Sequence, residues 1–308
     1  DLILSAMRAG AADFLPLPLE GDALKEALSR AMRRGAHESQ ASQRRARVLS
    51  FMSVKGGCGA TTLAVNLAVS LSAAAGRSAV LVDLDYPGGD VTAMLKMAPA
   101  YSLADVAANI HRLDMDLLNS MTMRHDSGLR CLAAVTEGEG PSRGIPPSPD
   151  QLAAIVRFLA DHFDDVILAG GALGESELAA LNQAHMVHLV TTLDFLSLRR
   201  AQALIGRLRE FGVTGDALRV IVNRVDRGAD LTLSDAKQAL DAPVVWSVPD
   251  DPATAERAIN EGVPLVSKGR SRLQAAFEEY AKALSVGEKA HAAGGLTGLF
   301  RRLVPARA

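Results

Sequence analysis

The sequence predicts an α/β protein built on a doubly wound, mostly parallel sheet. Three observations support this fold class. From Arg47 onward, short aliphatic runs alternate with helical stretches, as expected when helices bury strands on both faces. A glycine-rich segment follows the first of these runs and precedes a helix, which is the setting of a phosphate-binding loop. Hydrophobic residues make up 48% of the 308 residues and aromatic residues only 4%, so we expect a core of small aliphatic side chains.

The predicted strands and helices alternate along most of the chain. Candidate strands cover residues 48–53, 79–85, 129–134, 165–170, 186–192, 218–223 and 243–248. Candidate helices cover residues 60–75, 150–162, 194–211, 231–240 and 270–285. Strands that alternate with helices in this way indicate a parallel sheet with helices on both faces.

Local composition divides the chain into four parts. Residues 1–34 alternate helix, short strand and helix, and residues 35–46 are polar and lack apolar periodicity, as in a linker. Residues 47–285 contain the predicted sheet. Residues 286–308 are rich in glycine and alanine and then become briefly amphipathic.

Charge and cysteine content argue against several classes of protein. The formal net charge is −2, so no general basic field attracts nucleic acid, and we do not expect nucleic acid as a partner. The two cysteines, Cys58 and Cys131, provide neither metal-ligand spacing nor a disulfide framework. No apolar run approaches the roughly 20 residues that a membrane-spanning helix needs. Together these features favour a cytoplasmic protein.

The segment SVKGGCGATTLA, which begins at Ser53, is the strongest local signal. Its three glycines allow backbone N–H groups to turn toward an anion without interference from a Cβ atom. The helix that begins at Ala60 directs its positive end at the same place, and the hydroxyl of Thr61 is placed to meet Mg²⁺. A glycine-rich turn without a ligand is the alternative. The predicted phosphate-binding residues are Lys55, Gly56, Gly57, Cys58, Gly59, Ala60, Thr61 and Thr62.

The lysine of this loop stands at an unusual place. The common pattern G-x-x-x-x-G-K-[ST] fails at Val54 and at Ala60, and the remaining cation is Lys55, ahead of the glycines. The motif K-G-G-x-G-x-T-T resembles the deviant Walker A loop of the MinD/ParA superfamily of P-loop ATPases. The resemblance implies that the chain binds ATP or ADP with Mg²⁺. It also implies that Lys55 reaches across a dimer interface to the partner's nucleotide.

Two aspartates lie at the end of the second predicted strand. Asp83 and Asp85, in VLVDLDYPGGD, lie at the carboxyl end of that strand, where open α/β sheets bind ligands. The two aspartates need not share a role. In the superfamily this D-x-D element helps to hold Mg²⁺ and the attacking water. The resemblance therefore implies Asp83 and Thr61 as metal ligands and Asp85 as a catalytic residue; solvated loop aspartates are the alternative.

An alanine occupies the place of a further acidic group. The segment FDDVILAGGALGE lies where superfamily relatives have a Walker B strand that ends in aspartate, and the matching position is Ala169. An alanine cannot hold a metal-bound water. Because the Walker lysine is also lost at Ala60, we expect at most slow ATP hydrolysis.

The segment VIVNRVDR predicts the base-binding side of the site. In superfamily relatives an asparagine at the end of this strand hydrogen-bonds the adenine edge, which implies that role for Asn223. Arg224 follows it, and Pro249 begins the loop expected beneath the base. An ordinary turn is the alternative for the Asn-Arg pair.

Longer segments resemble the CpaE/TadZ family of Flp (Tad) pilus assembly proteins. They include KGGCGATT, VDLDYPGGDVTAML, YSLADVAANIHRLDMDLL, TLDFLSLRRAQALI and INEGVPLV, and they cover most of residues 47–285. AMRAGAADFLPLPL, within residues 1–34, resembles the end of a receiver domain, which that family carries before its ATPase domain. Leu17 replaces the lysine that receivers have before proline. The resemblance therefore implies the C-terminal part of a degenerate receiver-like domain.

The family resemblance implies an assembly and localisation factor that binds ATP, hydrolyses it weakly or not at all, and acts as a homodimer. Its implied partners are proteins of the pilus machinery, including the secretion ATPase, at the cell pole. A ParA-type DNA-partition or positioning ATPase with genuine turnover is the alternative. One predicted helix carries four arginines that would suit DNA: Arg199, Arg200, Arg207 and Arg209. A solvated helix face is the simpler interpretation of these arginines.

The C-terminal segment GGLTGLFRRLVPARA has amphipathic spacing. A helix would place Leu296, Leu299, Phe300 and Leu303 on one side, and the neighbouring arginines on the other. MinD relatives contact the membrane through a C-terminal helix, which implies peripheral association with the inner membrane. Packing of this apolar stripe on the protein's own domain or on a dimer partner is the alternative.

Overall fold

The predicted fold class is confirmed by the computed structural model. The structure describes residues 46–74, 77–86, 88–134, 146–170, 175–226, 228–267, 269 and 271–292. The receiver-like part predicted for residues 1–34, the linker up to residue 45 and the apolar tail positions from Leu296 to Leu303 lie outside the described residues. These assignments stay predictions.

The central layer is an eight-stranded sheet with the strand order β3-β4-β2-β5-β1-β6-β7-β8. Its strands are β1 (Arg47–Ser53), β2 (Ala79–Asp83), β3 (Met123–Arg124), β4 (Arg130–Leu132), β5 (Asp165–Ala169), β6 (Met186–Thr191), β7 (Leu218–Val225) and β8 (Val244–Pro249). Neighbouring strands are parallel, except that β3 and β4 pair antiparallel at one edge. Because β1 lies between β5 and β6, the loop that follows it occupies the middle of the carboxyl edge.

Helices cover both faces of the sheet. They are α1 (Ala60–Ser72), α2 (Val91–Met94), α3 (Leu103–Ala108), α4 (Met115–Met121), α5 (Pro149–His162), α6 (Glu175–Leu181), α7 (Phe195–Glu210), α8 (Leu233–Ala239), α9 (Pro252–Glu261) and α10 (Arg272–Ala292). Several of them begin at a side-chain cap. The Ser148 side chain accepts from the backbone N–H of Gln151, whose side chain accepts from the backbone N–H of Ser148, so α5 begins at a complete capping box.

Alternating strand residues build a core on each face. On one face, Leu49 and Phe51 of β1 pack in one cluster with Leu63 and Leu67 of α1 and Phe277 of α10. On the other face, one cluster contains α3 and α5 and another contains α7 and α8. Residues two apart on a strand share a face, which is why β1 contributes to both layers.

A buried ion cluster lies at the amino ends of two central strands. Asp165, the first residue of β5, is 0% exposed. Its Oδ1 accepts from Nε of Arg47 at 2.6 Å, and its Oδ2 accepts from Nε of Arg77 at 2.7 Å. Both carboxylate oxygens therefore have charged donors. Removing one arginine would leave a buried charge only partly compensated, at a cost of about 3–5 kcal/mol.

The boundaries of the predicted elements need few corrections. Every predicted strand is present with its ends within two residues of the predicted ones. Strand β2 ends at Asp83 instead of continuing to residue 85, and α10 continues to Ala292, through the start of the predicted tail. Strand β3 and the helices α2, α3, α4, α6 and α9 were not predicted. Within the described part of the chain, no helix has the length and apolar character needed to cross a bilayer.

Candidate nucleotide-binding site

In the loop between β1 and α1, the N–H groups of the three glycines have no acceptor among the described residues, whereas the N–H of Cys58 donates to the backbone oxygen of Lys55 at 3.4 Å. Gly57 and Gly59 have φ angles of 82° and 92°, in the left-handed region that favours glycine. Gly59 is the N-cap of α1, and no described side chain caps this helix. The first N–H groups of α1 are therefore available to an anion, which the helix terminus also favours electrostatically.

The position of the ordinary Walker lysine contributes to the core instead of to the loop. Ala60 is only 3% exposed and belongs to the apolar cluster around α1. The threonines that follow it, Thr61 and Thr62, are half-buried at the first turn of the helix. The loop therefore has the backbone of a phosphate-binding loop without its usual cation.

Lys55 is paired with a carboxylate of its own chain. Its Nζ lies 3.1 Å from Oδ2 and 3.2 Å from Oδ1 of Asp194, the N-cap residue of α7. Burial opposes ionisation of Asp194, but hydrogen bonds from Ser197, Thr192 and Lys55 outweigh it and hold the pKa of this carboxyl well below its usual range. The lysine is thus bound by an ionised carboxylate. Asp194 was not predicted as a site residue, because its only local signal is its place at the start of a predicted helix.

Asn223 connects β7 to the phosphate-binding loop. Its Nδ2 donates to the backbone oxygen of Cys58 at 2.8 Å, and the side chain is buried. A Cβ atom at Gly59 would lie 2.5 Å from the same Nδ2, so this contact requires glycine there. One amide hydrogen of Asn223 is therefore committed to the loop, and its contact with adenine stays a prediction.

Two cavities adjoin the loop and share one lining residue, Arg224. The larger, of about 450 Å³, is lined by Lys55, Gly56, Gly57, Cys58, Thr192, Leu193, Asp194, Arg224 and Ala229. The smaller, of about 260 Å³, is lined by residues including Gly59, Thr62, Asn223, Arg224, Pro249, Ile259, Leu265 and Phe277. The first has the polar character of a phosphate site, and the second adds the apolar walls that suit a base.

Some of the residues that line the smaller cavity were not predicted from the sequence. Asn223, Arg224 and Pro249 do lie around one cavity with the loop, but Ile259, Leu265 and Phe277 also line it. These apolar residues come from α9, from the turn Leu265–Ser267 and from α10. Their helical spacing resembles an ordinary core pattern, so nothing in the sequence distinguished a cavity wall from a packed interior.

Asp83 and Asp85 occupy different environments. Asp83 is 1% exposed, and its Oδ1 and Oδ2 accept from the backbone N–H groups of Asp85 and Val91 at 3.1 and 3.3 Å. Burial raises the pKa of Asp83 to about 7, although these hydrogen bonds oppose the shift. Asp85 is exposed, because the strand ends before it. The two carboxyl groups differ in burial because β2 ends at Asp83, and their separate roles stay predictions.

Ala169 lies between the loop strand and the strand of Asp83. It pairs in register with Phe51 of β1 on one side and with Asp83 of β2 on the other, and it is fully buried. A carboxylate at this position would stand beside Asp83. The methyl group present supplies no metal ligand and no partner for a water molecule.

The surroundings of Asp83 fit a divalent cation. Asp83 is a buried carboxylate with a raised pKa, and a nearby positive charge stabilises the ionised form of such a group. The chain can approach this carboxylate closely only because residue 89 is glycine: a Cβ atom there would lie 2.0 Å from Oδ2 of Asp83. Mg²⁺ is commonly held by one or two carboxylates together with substrate phosphates and waters. Asp83 and Thr61 would hold the ion, which would neutralise phosphate charge when bound. The described residues contain no cluster of three His, Cys, Asp or Glu side chains that would hold a metal without the nucleotide.

Fold and loop geometry together define a P-loop nucleotide-binding domain. The chain belongs to the CobQ/CobB/MinD/ParA nucleotide binding domain family, whose model matches residues 49–265. The septum site-determining protein MinD of Thermotoga maritima is 30% identical over 243 residues, which are 76% of this chain and 86% of that protein.

Solved structures share the fold. A ParA family ATPase from Chlorobium tepidum superposes with a TM-score of 0.70 at 24% identity and covers 77% of this chain and 98% of its own. The MinD protein of Pyrococcus horikoshii, solved as a complex with Mg-ADP, has a TM-score of 0.66 at 24% identity and covers 78% and 96% of the two chains. At these identities the likeness concerns the fold alone.

Proposed function

We propose that this chain is an ATP-binding assembly and localisation factor of the Flp (Tad) pilus machinery that acts as a nucleotide-linked homodimer and hydrolyses ATP slowly or not at all. The observation that carries the nucleotide part is the open loop, with its uncapped helix terminus, beside two cavities. The pilus part rests on the CpaE/TadZ-like segments quoted above.

Slow turnover follows from the chemistry that the site lacks. Phosphoryl transfer depends on cations and a well-held metal that stabilise the charge developing on the transferred group. Ala60 and Ala169 are both buried methyl groups at the positions of a cation and of a carboxylate. The backbone donors remain, so binding persists while the transition state loses stabilisation.

Calorimetry and a phosphate-release assay test this combination. The loss of one charge-assisted contact weakens binding by about 10- to 150-fold, which leaves micromolar affinity for MgATP. We expect turnover well below about 1 per second, the lower end of the range for kinases. Absence of binding at millimolar MgATP would contradict the proposed binding, and turnover near one per second would contradict the proposed slow hydrolysis.

In the proposed dimer, Lys55 gives up its contact with Asp194 and binds the phosphates on the other protomer. In the single chain its Nζ is held by Asp194, so a lysine that reaches another protomer's phosphates must first leave that carboxylate. The pair is partly exposed and is worth at most about 1 kcal/mol. Asp194→Asn keeps an N-cap side chain but removes the charge. We expect this variant to strengthen ATP-dependent dimerisation by about two- to fivefold, measured by sedimentation.

Lys55→Ala is the opposing variant. It should weaken ATP-dependent association while the unfolding midpoint of the monomer changes little, since the pair is only partly buried. A dimer of equal strength with and without ATP, and in both variants, would place the interface elsewhere.

Cellular experiments test the pilus role. A fluorescent fusion should gather at the cell pole and copurify with the secretion ATPase of the pilus machinery. The fusion carrying Lys55→Ala should lose polar localisation if the nucleotide-linked dimer is the localised form. Uniform distribution of the unaltered fusion would contradict the localisation proposal.

A DNA-partition ATPase is the second candidate, because α7 presents unpaired arginines. Arg199, Arg200 and Arg207 are exposed, and none of them has an ion-pair partner among the described residues. DNA binding through such a face would weaken steeply as salt rises. A mobility shift at low salt that disappears in Arg199→Gln with Arg200→Gln would favour this candidate over the pilus role.

A further inference from the structure

Arg224 has a backbone conformation that non-glycine residues seldom adopt. Its φ is 55°, and Lys96 is the only other non-glycine residue with positive φ in the described part of the chain. Side chains with a Cβ atom are strained in this region, and such strain concentrates at functional sites. The strain at Arg224 falls directly after Asn223, the residue that holds the loop.

A bulge in β7 explains how Arg224 reaches the site. Val222 pairs with Ser247 of β8 and Val225 with Pro249, so β7 has one more residue than β8 between these pairs. Val222 and Val225 both belong to the layer packed against α7 and α8. A regular strand would direct these two valines to opposite faces, because they are an odd number of residues apart. The bulge therefore leaves two consecutive side chains, Asn223 and Arg224, on the side of the loop.

Arg224 is the cation that the site leaves available. Among the described residues that line the cavity of about 450 Å³, the basic ones are Lys55 and Arg224. Lys55 is engaged by Asp194. Arg224 is exposed, has no ion-pair partner in the described part of the chain, and also lines the cavity beside Asn223 and Pro249. Its guanidinium is always charged and matches the geometry of two phosphate oxygens.

We propose that Arg224 binds the nucleotide's phosphates within its own chain and supplies the charge that ordinary phosphate-binding loops take from the lysine at the place of Ala60. This inference rests on the proposed ATP-binding function and gives one residue of that site a defined task. The bulge and the left-handed backbone hold the guanidinium at the boundary between the two cavities. The cation thus comes from the end of β7 instead of from the start of α1.

Calorimetry with MgATP on the full chain tests the charge of Arg224. Arg224→Gln should weaken binding at least tenfold. Arg224→Gly should weaken it equally, although glycine relieves the backbone strain, because the charge is absent in both variants. Arg199→Gln, which removes an exposed arginine from α7, is the matched control and should bind as the unaltered protein does. Thermal unfolding of each variant shows that the fold is retained.

A double-mutant cycle distinguishes substitution for the lysine from a general electrostatic effect. If Arg224 takes the place of the missing lysine, Ala60→Lys should improve MgATP binding more in the Arg224→Gln background than in the unaltered protein. Equal MgATP affinity of Arg224→Gln and Arg199→Gln, or strictly additive effects in the cycle, would overturn the inference. Failure of the unaltered protein to bind MgATP would instead overturn the proposed function together with it.

Discussion

Gly59 is the residue at which one methyl group would disturb the candidate site most directly. Its φ is 92°, and an added Cβ atom would lie 2.5 Å from Nδ2 of Asn223. Gly59→Ala therefore combines backbone strain with loss of the hydrogen bond between Asn223 and Cys58. We expect the free energy of unfolding to fall by about 1–3 kcal/mol and MgATP binding to weaken, as measured by urea titration and calorimetry.

Gly206 provides the matched control for this substitution. It lies within α7, and an added Cβ atom would have no neighbour within 4 Å. Gly206→Ala should raise the free energy of unfolding by about 0.5–1 kcal/mol, because alanine is the better residue in a helix interior. If both variants changed stability by the same amount and sign, the contact between Gly59 and Asn223 would not determine the loop's conformation.

Individual residues also show where sequence reasoning ends. The glycines of the loop and the aspartate pair stand in short motifs, so their place after β1 and β2 could be predicted. The partner of Lys55 could not, because Asp194 is 139 residues away and its local environment is already satisfied as a helix cap. Likewise the bond from Asn223 to Cys58 joins residues 165 positions apart. Such contacts depend on the register of the whole sheet.

At the scale of elements, β6 and α10 meet through a buried histidine. The ring of His188 stacks on Phe51 of β1 with centroids 4.6 Å apart, and its Nε2 lies 2.7 Å from the hydroxyl of Tyr280 in α10. Burial lowers the pKa of His188 to about 3, and the nearby charge of Arg219 adds to this shift. The imidazole is therefore neutral in the folded protein at pH values where it is protonated in the unfolded chain.

The shift of His188 predicts loss of stability at acidic pH. Between about pH 6.5 and pH 3 the unfolded state binds the extra proton, so stability declines as pH falls. Once the unfolded histidine is protonated, this group contributes about 1.4 kcal/mol of lost stability per pH unit. The opposite shift of Asp83 raises stability over part of the same range, so urea unfolding at pH 7.5, 6 and 5 is read as a difference. His188→Gln should gain stability relative to the unaltered protein as pH falls, while His111→Gln, at an exposed position, should keep a constant difference.

The ends of the strands could be predicted from the sequence, whereas the bulge in β7 could not. Aliphatic runs and the turn residues between them define the strands well, because burial on both faces requires continuous apolar sequence. The bulge at the end of β7 leaves the local pattern VIVNRV unchanged, and only its pairing with β8 reveals the additional residue. The two-residue strand β3 carries too few residues for any periodic signal.

In the assembled protein, the C-terminal segment from Val286, which includes the end of α10, carries the proposed contact with the membrane. From Val286 onward the sequence has four basic residues and one acidic residue, and apolar positions recur at helical spacing. Each basic residue near an anionic lipid surface contributes about 1 kcal/mol. A dimer carries two tails, so ATP should promote binding to anionic vesicles.

Removal of residues 294–308 tests this contact. The truncated protein should lose sedimentation with anionic vesicles while its affinity for MgATP stays unchanged, because the removed residues follow the described domain. Neutral vesicles are the control for the electrostatic part of the attraction. Equal sedimentation of the intact and truncated proteins would assign the tail to packing on the protein itself.

Strand β1 connects the buried ion cluster at its first residue to the phosphate-binding loop at its last, so it can transmit force between them. Its first residue, Arg47, is held by the buried carboxylate of Asp165, and its last residue, Ser53, leads directly into the phosphate-binding loop. The polypeptide that precedes the domain therefore joins the strand whose far end forms the ligand site. A pull on that polypeptide would act as shear between β1 and its neighbours β5 and β6, with the ion cluster as its anchor. Weakening the anchor, for example by Arg77→Gln, would make the loop more sensitive to force applied from the preceding segment.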